Sequence, residues 1–139
     1  MTHHQTVQEA MTPNPTAITP DTPAREAARL MQAEDTGILP IVEGERHAGV
    51  VTDRDLALRV IGEGRDLDTA VGELGSKDLV SVDPQQSLEE AAQLMGTNQV
   101  RRLPVVDEDG RLVGILAQAD LAQAGHDTLT GDVVQKISQ

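Results

Sequence analysis

In the stretch GVVTDRD, residues 49–55, a hydroxyl and a carboxylate stand three residues apart, Thr52 and Asp55. An ionised carboxylate accepts hydrogen bonds at both oxygens, and a hydroxyl can both donate and accept. The pair therefore suits polar recognition. It also suits the start of a helix, with Thr as cap and the acid near the positive end of the dipole. GILAQAD, residues 114–120, keeps the glycine and the aspartate but has Ala117 in place of the threonine, so Asp120 stands without a hydroxyl partner. A third polar feature is Arg101-Arg102. Arginine forks suit phosphate oxygens, whereas as ordinary surface charges they would pair with acids such as Asp107 or Glu108. No Gly-rich phosphate loop occurs, and no nucleophile with an adjacent base can be assembled. His3, His4, His47 and His126 show neither the helical spacing nor the carboxylate neighbours of a metal site. Enzyme activity, a structural metal and a catalytic cofactor are not expected.

These groups sit in a duplicated unit. At an offset of 64, Val7 meets Val71, Glu9 meets Glu73, EAARLM (26–31) meets EAAQLM (90–95), and LPIV (39–42) meets LPVV (103–106). One extra residue makes the offset 65, and Gly49 and Asp55 then meet Gly114 and Asp120. A fixed period with matching punctuation marks a repeated structural unit. Thr16–Thr19 and Val80–Val82 read as short strands closed by Pro20 and Pro84. Ala24, Ala27, Ala28 and Met31 form a helical stripe that Leu88, Ala91, Ala92 and Met95 repeat. Thr22 before Pro23 predicts one helix start, and Ser87 with Glu90 predicts another through a capping box. The stripe serves either a homodimer interface or the core of the monomer. ILPIV with HAGVV, and RLPVV with RLVGIL, read as hairpins. A last helix begins at Thr52 or Ala117, apolar at Leu56, Ala57, Val60 and Ile61, with Gly62 and Gly64 to end it. Each unit is thus β-α-β-β-α, in an α/β (α+β) fold, with repeats at residues 1–68 and 69–139. The tail from Asp127 predicts one more short helix. Neither three-stranded sheet can cover both faces alone, so the repeats are expected to pack on each other, sheet to sheet.

Composition narrows the partners. The chain has 139 residues, no Phe, Tyr or Trp, and no Cys. Its core must be aliphatic, and no aromatic platform exists for stacking single-stranded nucleic acid. A net charge of −12 repels duplex DNA and anionic membranes. A small anion can still bind where arginines cluster, because distant charges are screened. MTHHQTVQEA lacks the basic start and apolar core of a signal peptide, and no apolar run has membrane-spanning length. A cytoplasmic protein without nucleic-acid or membrane partners is expected.

The duplicated unit, the LPVV-type strand and the Gly-apolar-x-Thr-x-x-Asp motif of GVVTDRD together resemble a CBS-domain pair, over roughly residues 6–125. The resemblance implies a regulatory module of the kind usually attached to an enzyme or transporter, here expected to stand alone. Its two repeats would be related by a pseudo-twofold axis, forming a cleft with up to two sites for adenosine-containing ligands such as AMP, ADP, ATP or S-adenosylmethionine. It also implies a homodimer and a client protein to regulate. By the same pattern Asp55 accepts bonds from the ribose hydroxyls, and the Thr52 hydroxyl bonds ribose or phosphate, a role that can coexist with capping. Arg101 and Arg102, and Gly37 and Ile38 in the other copy, occupy the cleft-lining positions. Ile18 and Ile38 would face the adenine, unless they simply pack in the core. Asp120, lacking its threonine, marks a degraded second site. VGELGSKD also departs from the usual methionine-bearing start of a repeat, which VQEAMTPN keeps. A dimerisation or protein-interaction module without ligand is the competing reading.

Overall fold

The computed structural model describes residues 5–76 and 80–124. The tail helix expected from Asp127 onward, and His3, His4 and His126, lie outside them. In chain order the elements are α1 (Val7–Ala10), β1 (Thr12–Pro13), α2 (Ala24–Glu34), β2 (Ile38–Glu43) and β3 (Arg46–Thr52). Then come α3 (Asp53–Asp55), which runs on as a π-helical segment (Leu56–Ile61), and a 3-10 turn (Val71–Glu73). The second half adds α4 (Leu88–Asn98), β4 (Arg102–Val106), β5 (Leu112–Ala117) and α5 (Gln118–Ala124). Helices and small antiparallel sheets thus alternate in an α+β fold.

Both predicted hairpins form, and both carry a bulge at the same place. Ile41 pairs with Gly49 and Val42 with His47, while Val105 pairs with Gly114 and Val106 with Leu112. The strands expected at Thr16–Thr19 and Val80–Val82 shrink to single parallel bridges, Ile18 to Ile41 and Val82 to Val105. Ile18 still makes two ladder bonds, from its N–H to the Pro40 carbonyl (3.0 Å) and from the Val42 N–H to its carbonyl (2.8 Å). Pro20 and Pro84, which bring no N–H, stop the pairing from extending.

The other edge of each hairpin is filled by the first segment of the opposite repeat. β1 pairs with β5 (Thr12 with Ile115, Pro13 with Gly114), and Ser76 bridges Val50. Residues Met1–Pro15 with Val80–Gln139 therefore make one compact unit, and Thr16–Leu79 the other. The motif glycines give the incoming segments room. A Cβ on Gly49 would lie 2.7 Å from the Ser76 carbonyl oxygen, and one on Gly114 would collide with Met11 Sδ. The cores record the same exchange. Val7 is packed with Val82, Leu88, Ala91, Met95, Leu103, Val105, Leu116 and Leu121, whereas Val71 is packed with Ile18, Ala27, Met31, Leu39, Ile41 and Val51. Both cores are aliphatic, as the composition requires.

Two local expectations need correction. Thr22 does not cap α2, because its hydroxyl accepts from the Thr19 N–H at 3.2 Å. Pro23 is the cap residue instead, and the first helical N–H groups, of Ala24 and Arg25, donate to the carbonyls of Thr69 (2.9 Å) and Leu67 (3.0 Å) in the linker. In the last helix of the first repeat, Val60 is buried but Ile61 is 76% exposed. The π winding is the reason: Gly62 donates to Ala57, a five-residue step that moves Ile61 off the buried side. Gly62 keeps right-handed helical geometry, and Gly64 takes the left-handed turn (φ 70°).

The alanine stripe belongs to the cores, not to a dimer face. Ala24, Ala27, Met31, Leu88, Ala91, Ala92 and Met95 are all buried, and of the eight stripe residues only Ala28 is exposed. Ala92→Glu should therefore cost about 3 kcal/mol or more, since it buries a charge without a partner. Ala28→Glu should stay within about 0.5 kcal/mol of the parent. Urea melts of both variants check this, and equal losses would contradict it.

His47 is the one buried polar residue in the described core, 7% exposed, with no hydrogen-bond partner for either ring nitrogen. By strand register its counterpart in the second repeat is Leu112. Burial pushes its pKa below the ordinary imidazole value. Below about pH 6.5 the unfolded chain takes up a proton that the folded chain resists, so stability falls as pH drops from about 6.5 toward the lowered pKa. His47→Leu should flatten that part of the stability–pH curve and raise stability at every pH. Melting temperatures between pH 7.5 and 5 provide the check, and a variant with the parental slope would remove His47 from the acid response.

Candidate ligand-binding site

β3 ends at Thr52 because Thr52 is both the last strand residue and the cap of the next helix. The Asp55 N–H donates to Thr52 Oγ1 at 3.1 Å. In return Asp55 Oδ2 accepts from the Thr52 N–H at 2.8 Å and from its hydroxyl at 3.0 Å. This is a closed capping box, and Asp55 Oδ1 has no partner among the described residues. In the second repeat only one of these bonds survives, from the Ala117 N–H to Asp120 Oδ2 at 2.8 Å. The repeated aspartate is explained by this backbone bond, present in both copies. The threonine adds a second and a third bond, made in one copy alone.

The neighbours expected from the sequence fall into place within each unit. Ile38 is the cross-strand partner of Thr52, and the Gly37 carbonyl accepts from the Asp53 N–H at 2.9 Å. A Cβ on Gly37 would lie 2.8 Å from Asp53 Oδ2, so glycine lets that carboxylate close in. Gly37, Ile38, Thr52 and Asp55 thus lie together, all half-buried. Ile18 does not join them on an open surface: it is 5% exposed and packed with Leu39, Ile41 and Val51 in the core. The other unit repeats the arrangement with different chemistry. Arg102 is the partner of Ala117, and the Arg101 carbonyl accepts from the Gln118 N–H at 2.8 Å. Neither guanidinium has an ion pair or a hydrogen bond among the described residues, and Asp107 instead accepts backbone bonds from Asp109 and Arg111. Equivalent positions thus carry Gly37 with Asp53 in one repeat and Arg101 with Gln118 in the other, an acidic and a basic version of one corner.

Sequence reasoning missed the surroundings of Asp120. With Gln5, Glu9, Ala10, Gln123 and Ala124 it lines an open hollow of about 360 Å³. Glu9 reaches it because α1 packs on α5, and its Oε1 accepts from the Thr6 N–H at 2.9 Å. The match of Glu9 with Glu73 was the available signal, but it did not say which repeat α1 would join. Among the described residues no group of three His, Asp or Glu side chains could hold a metal ion, and no helix is long and apolar enough to cross a membrane.

Comparison with known proteins assigns the family. The CBS domain model matches twice, at residues 7–62 and 71–127. The CBS domain-containing protein YhcV of Bacillus subtilis is 47% identical over 116 residues, 84% of this chain and 82% of that protein. Among solved structures, Hypoxic Response Protein I with two coordinated zinc ions has a TM-score of 0.78 at 36% identity, covering 86% of this chain and 98% of that one. CBSX2 in complex with AMP has a TM-score of 0.77 at 32% identity, covering 90% and 98%. With both repeats matched and the motif carried on the strand–helix junction of each, the chain belongs to the CBS domain family as a tandem pair.

Proposed function

We propose that this CBS pair is a regulatory module sensing an adenosine-containing ligand, AMP, ADP, ATP or S-adenosylmethionine, with Asp55 as the acceptor for ribose hydroxyls. The observation that carries the reading is Asp55 Oδ1, which has no partner among the described residues, on a half-buried residue whose other carboxylate oxygen is already held. Charge-assisted bonds to such an oxygen are strong. The AMP complex of CBSX2 supports the ligand class. Arg101 and Arg102, unpaired among the described residues, are the candidates for phosphate. The ligand signal would pass to a client protein, and a homodimer is the expected assembly.

A thermal-shift series over AMP, ADP, ATP, NAD and S-adenosylmethionine tests the reading, because a ligand that binds only the folded state raises its stability. Asp55→Ala should then weaken binding by about 1.5–3 kcal/mol, and Asp120→Ala by much less. Equal losses measured by calorimetry would overturn the assignment of one competent site. No shift with any ligand would leave the module as a ligand-free interaction domain. Arg101→Ala or Arg102→Ala should lower affinity for AMP more than for adenosine, since only phosphate uses the guanidinium. An unchanged ratio in both variants would remove them from the phosphate role.

A further inference from the structure

We propose that the first repeat holds a small apolar site for an unbranched thioether or alkyl group, separate from the polar corner at Thr52. The two repeats fill one equivalent place differently. In the second, Met11 of the incoming segment lies over Gly114: a Cβ on that glycine would collide with Met11 Sδ and lie 3.0 Å from its Cγ. The Met11 side chain packs there against the aliphatic core. At the offset of 64 its counterpart is Gly75, and Ala10-Met11 has become Leu74-Gly75. Leu74 is fully buried with Ala24 and Val60, so the large side chain of this segment serves a different cluster. Over Gly49, the counterpart of Gly114, a Cβ would meet only the Ser76 backbone within 4 Å among the described residues. In this copy no described side chain takes the place of the Met11 thioether.

A notch of about 110 Å³ opens at that place. Pro20, Ile41, Ala48, Gly49, Gly72 and Gly75 line it, with Glu43 and Ser76 as its polar members. Ile41 pairs with Gly49 and belongs to the core, so the notch is on the core face of the hairpin. Gly49 and Thr52 are three residues apart on β3 in unbroken register, which puts them on opposite faces. Apolar cavities of about 150 Å³ stay dry and take small apolar molecules. This one is smaller. Ile41, standing where the second repeat has Val105, takes part of the room, its Cδ1 2.9 Å from a Cβ built on Gly75. A flexible unbranched chain suits such a gap, and a thioether is the group that fills the counterpart. Gly72 and Gly75 belong to the segment that covers β3, so an occupant touches that segment and the hairpin together and steadies the Val50–Ser76 pairing.

The test is an NMR titration of the full chain with ethyl methyl sulfide, which is the methionine side chain cut off at Cα. Saturable shifts are expected at the Ile41 and Ala48 methyls and at the Gly49, Gly72 and Gly75 amides, with an affinity on the order of millimolar for so small a probe. The Ser76 N–H should exchange more slowly when the probe is bound. Ala48→Leu fills the notch and should weaken binding at least about fivefold by removing the contact surface. Should it not fold, Ala48→Val, which copies Val113 of the second repeat, takes its place with the same direction of change. Met11→Ala opens the equivalent place in the other unit and should gain a second set of saturable shifts, at Val105 and Gly114. The absence of saturable shifts around Gly49 in the parent would overturn the proposal, and so would unchanged affinity in the filled variant. A folded Met11→Ala protein without the second set would overturn the equivalence on which it rests. If Met11→Ala does not fold, the parent and the Ala48 variants decide.

Discussion

Two reciprocal hydrogen bonds, from Val50 to Ser76 (3.1 Å) and from Ser76 to Val50 (2.9 Å), stand for the constraint on which the rest depends. A hairpin alone leaves the outer edge of its second strand unpaired, and two strands are marginal in water. β3 solves this with Ser76, and β5 solves it with Thr12 and Pro13. In both cases the covering residues belong to the start of the other repeat. Each incoming segment also brings a fully buried valine, Val71 or Val7, into the core it completes. Burial of a side chain of that size contributes about 1.5–3 kcal/mol, so edge cover and core filling come from the same few residues.

That constraint explains the layout of the motif from left to right. Gly49 and Gly114 have no side chain because the covering segment lies against them. The alternating apolar residues, Val51 and Leu116, point into the cores. Thr52 ends the strand and opens the helix in one residue, and Asp55 closes the cap from the first turn. The polar corner is thus placed by the same strand that the edge pairing steadies. At this corner the copies differ in their side chains: Gly37 against Arg101, Ile38 against Arg102, Asp53 against Gln118, Thr52 against Ala117. Duplication supplied a common frame, and these positions give each frame its own charge and hydrogen-bonding character.

The parts legible in the sequence were those with local causes. The capping box of Ser87 and Glu90, the four-residue spacing of the alanine stripes and the polar turns of the hairpins each act over a few residues, and each formed where expected. The pairing of Thr12 with Ile115 spans most of the chain, and nothing near Thr12 announces it. Thr22 looked like a cap because a hydroxyl before proline usually is one; the linker carbonyls at Leu67 and Thr69 made it unnecessary. Ile61 looked like a core residue under a 3.6-residue period, which a π-helical stretch does not keep. At the candidate site the Thr-x-x-Asp spacing was legible, and so was its ambiguity. Which oxygen of Asp55 is occupied is a matter of side-chain torsion, and no spacing records it.

The exchange of first segments has a consequence for the order in which the chain can be completed. The unit Thr16–Leu79 is continuous, so a ribosome that has released those residues has released everything that unit contains. The other unit is split, its opening residues made first and its remaining strands last. Thr12 waits for more than half the chain before Ile115 exists. Domains generally fold as units during synthesis, and the order of the chain lets the middle of this protein be completed before the beginning can be. In the interval α1 and its valine are exposed with their partner surface still unmade. That segment is short and carries polar residues, Gln5, Thr6, Gln8 and Glu9, a composition that disfavours aggregation while its partner strands are unmade.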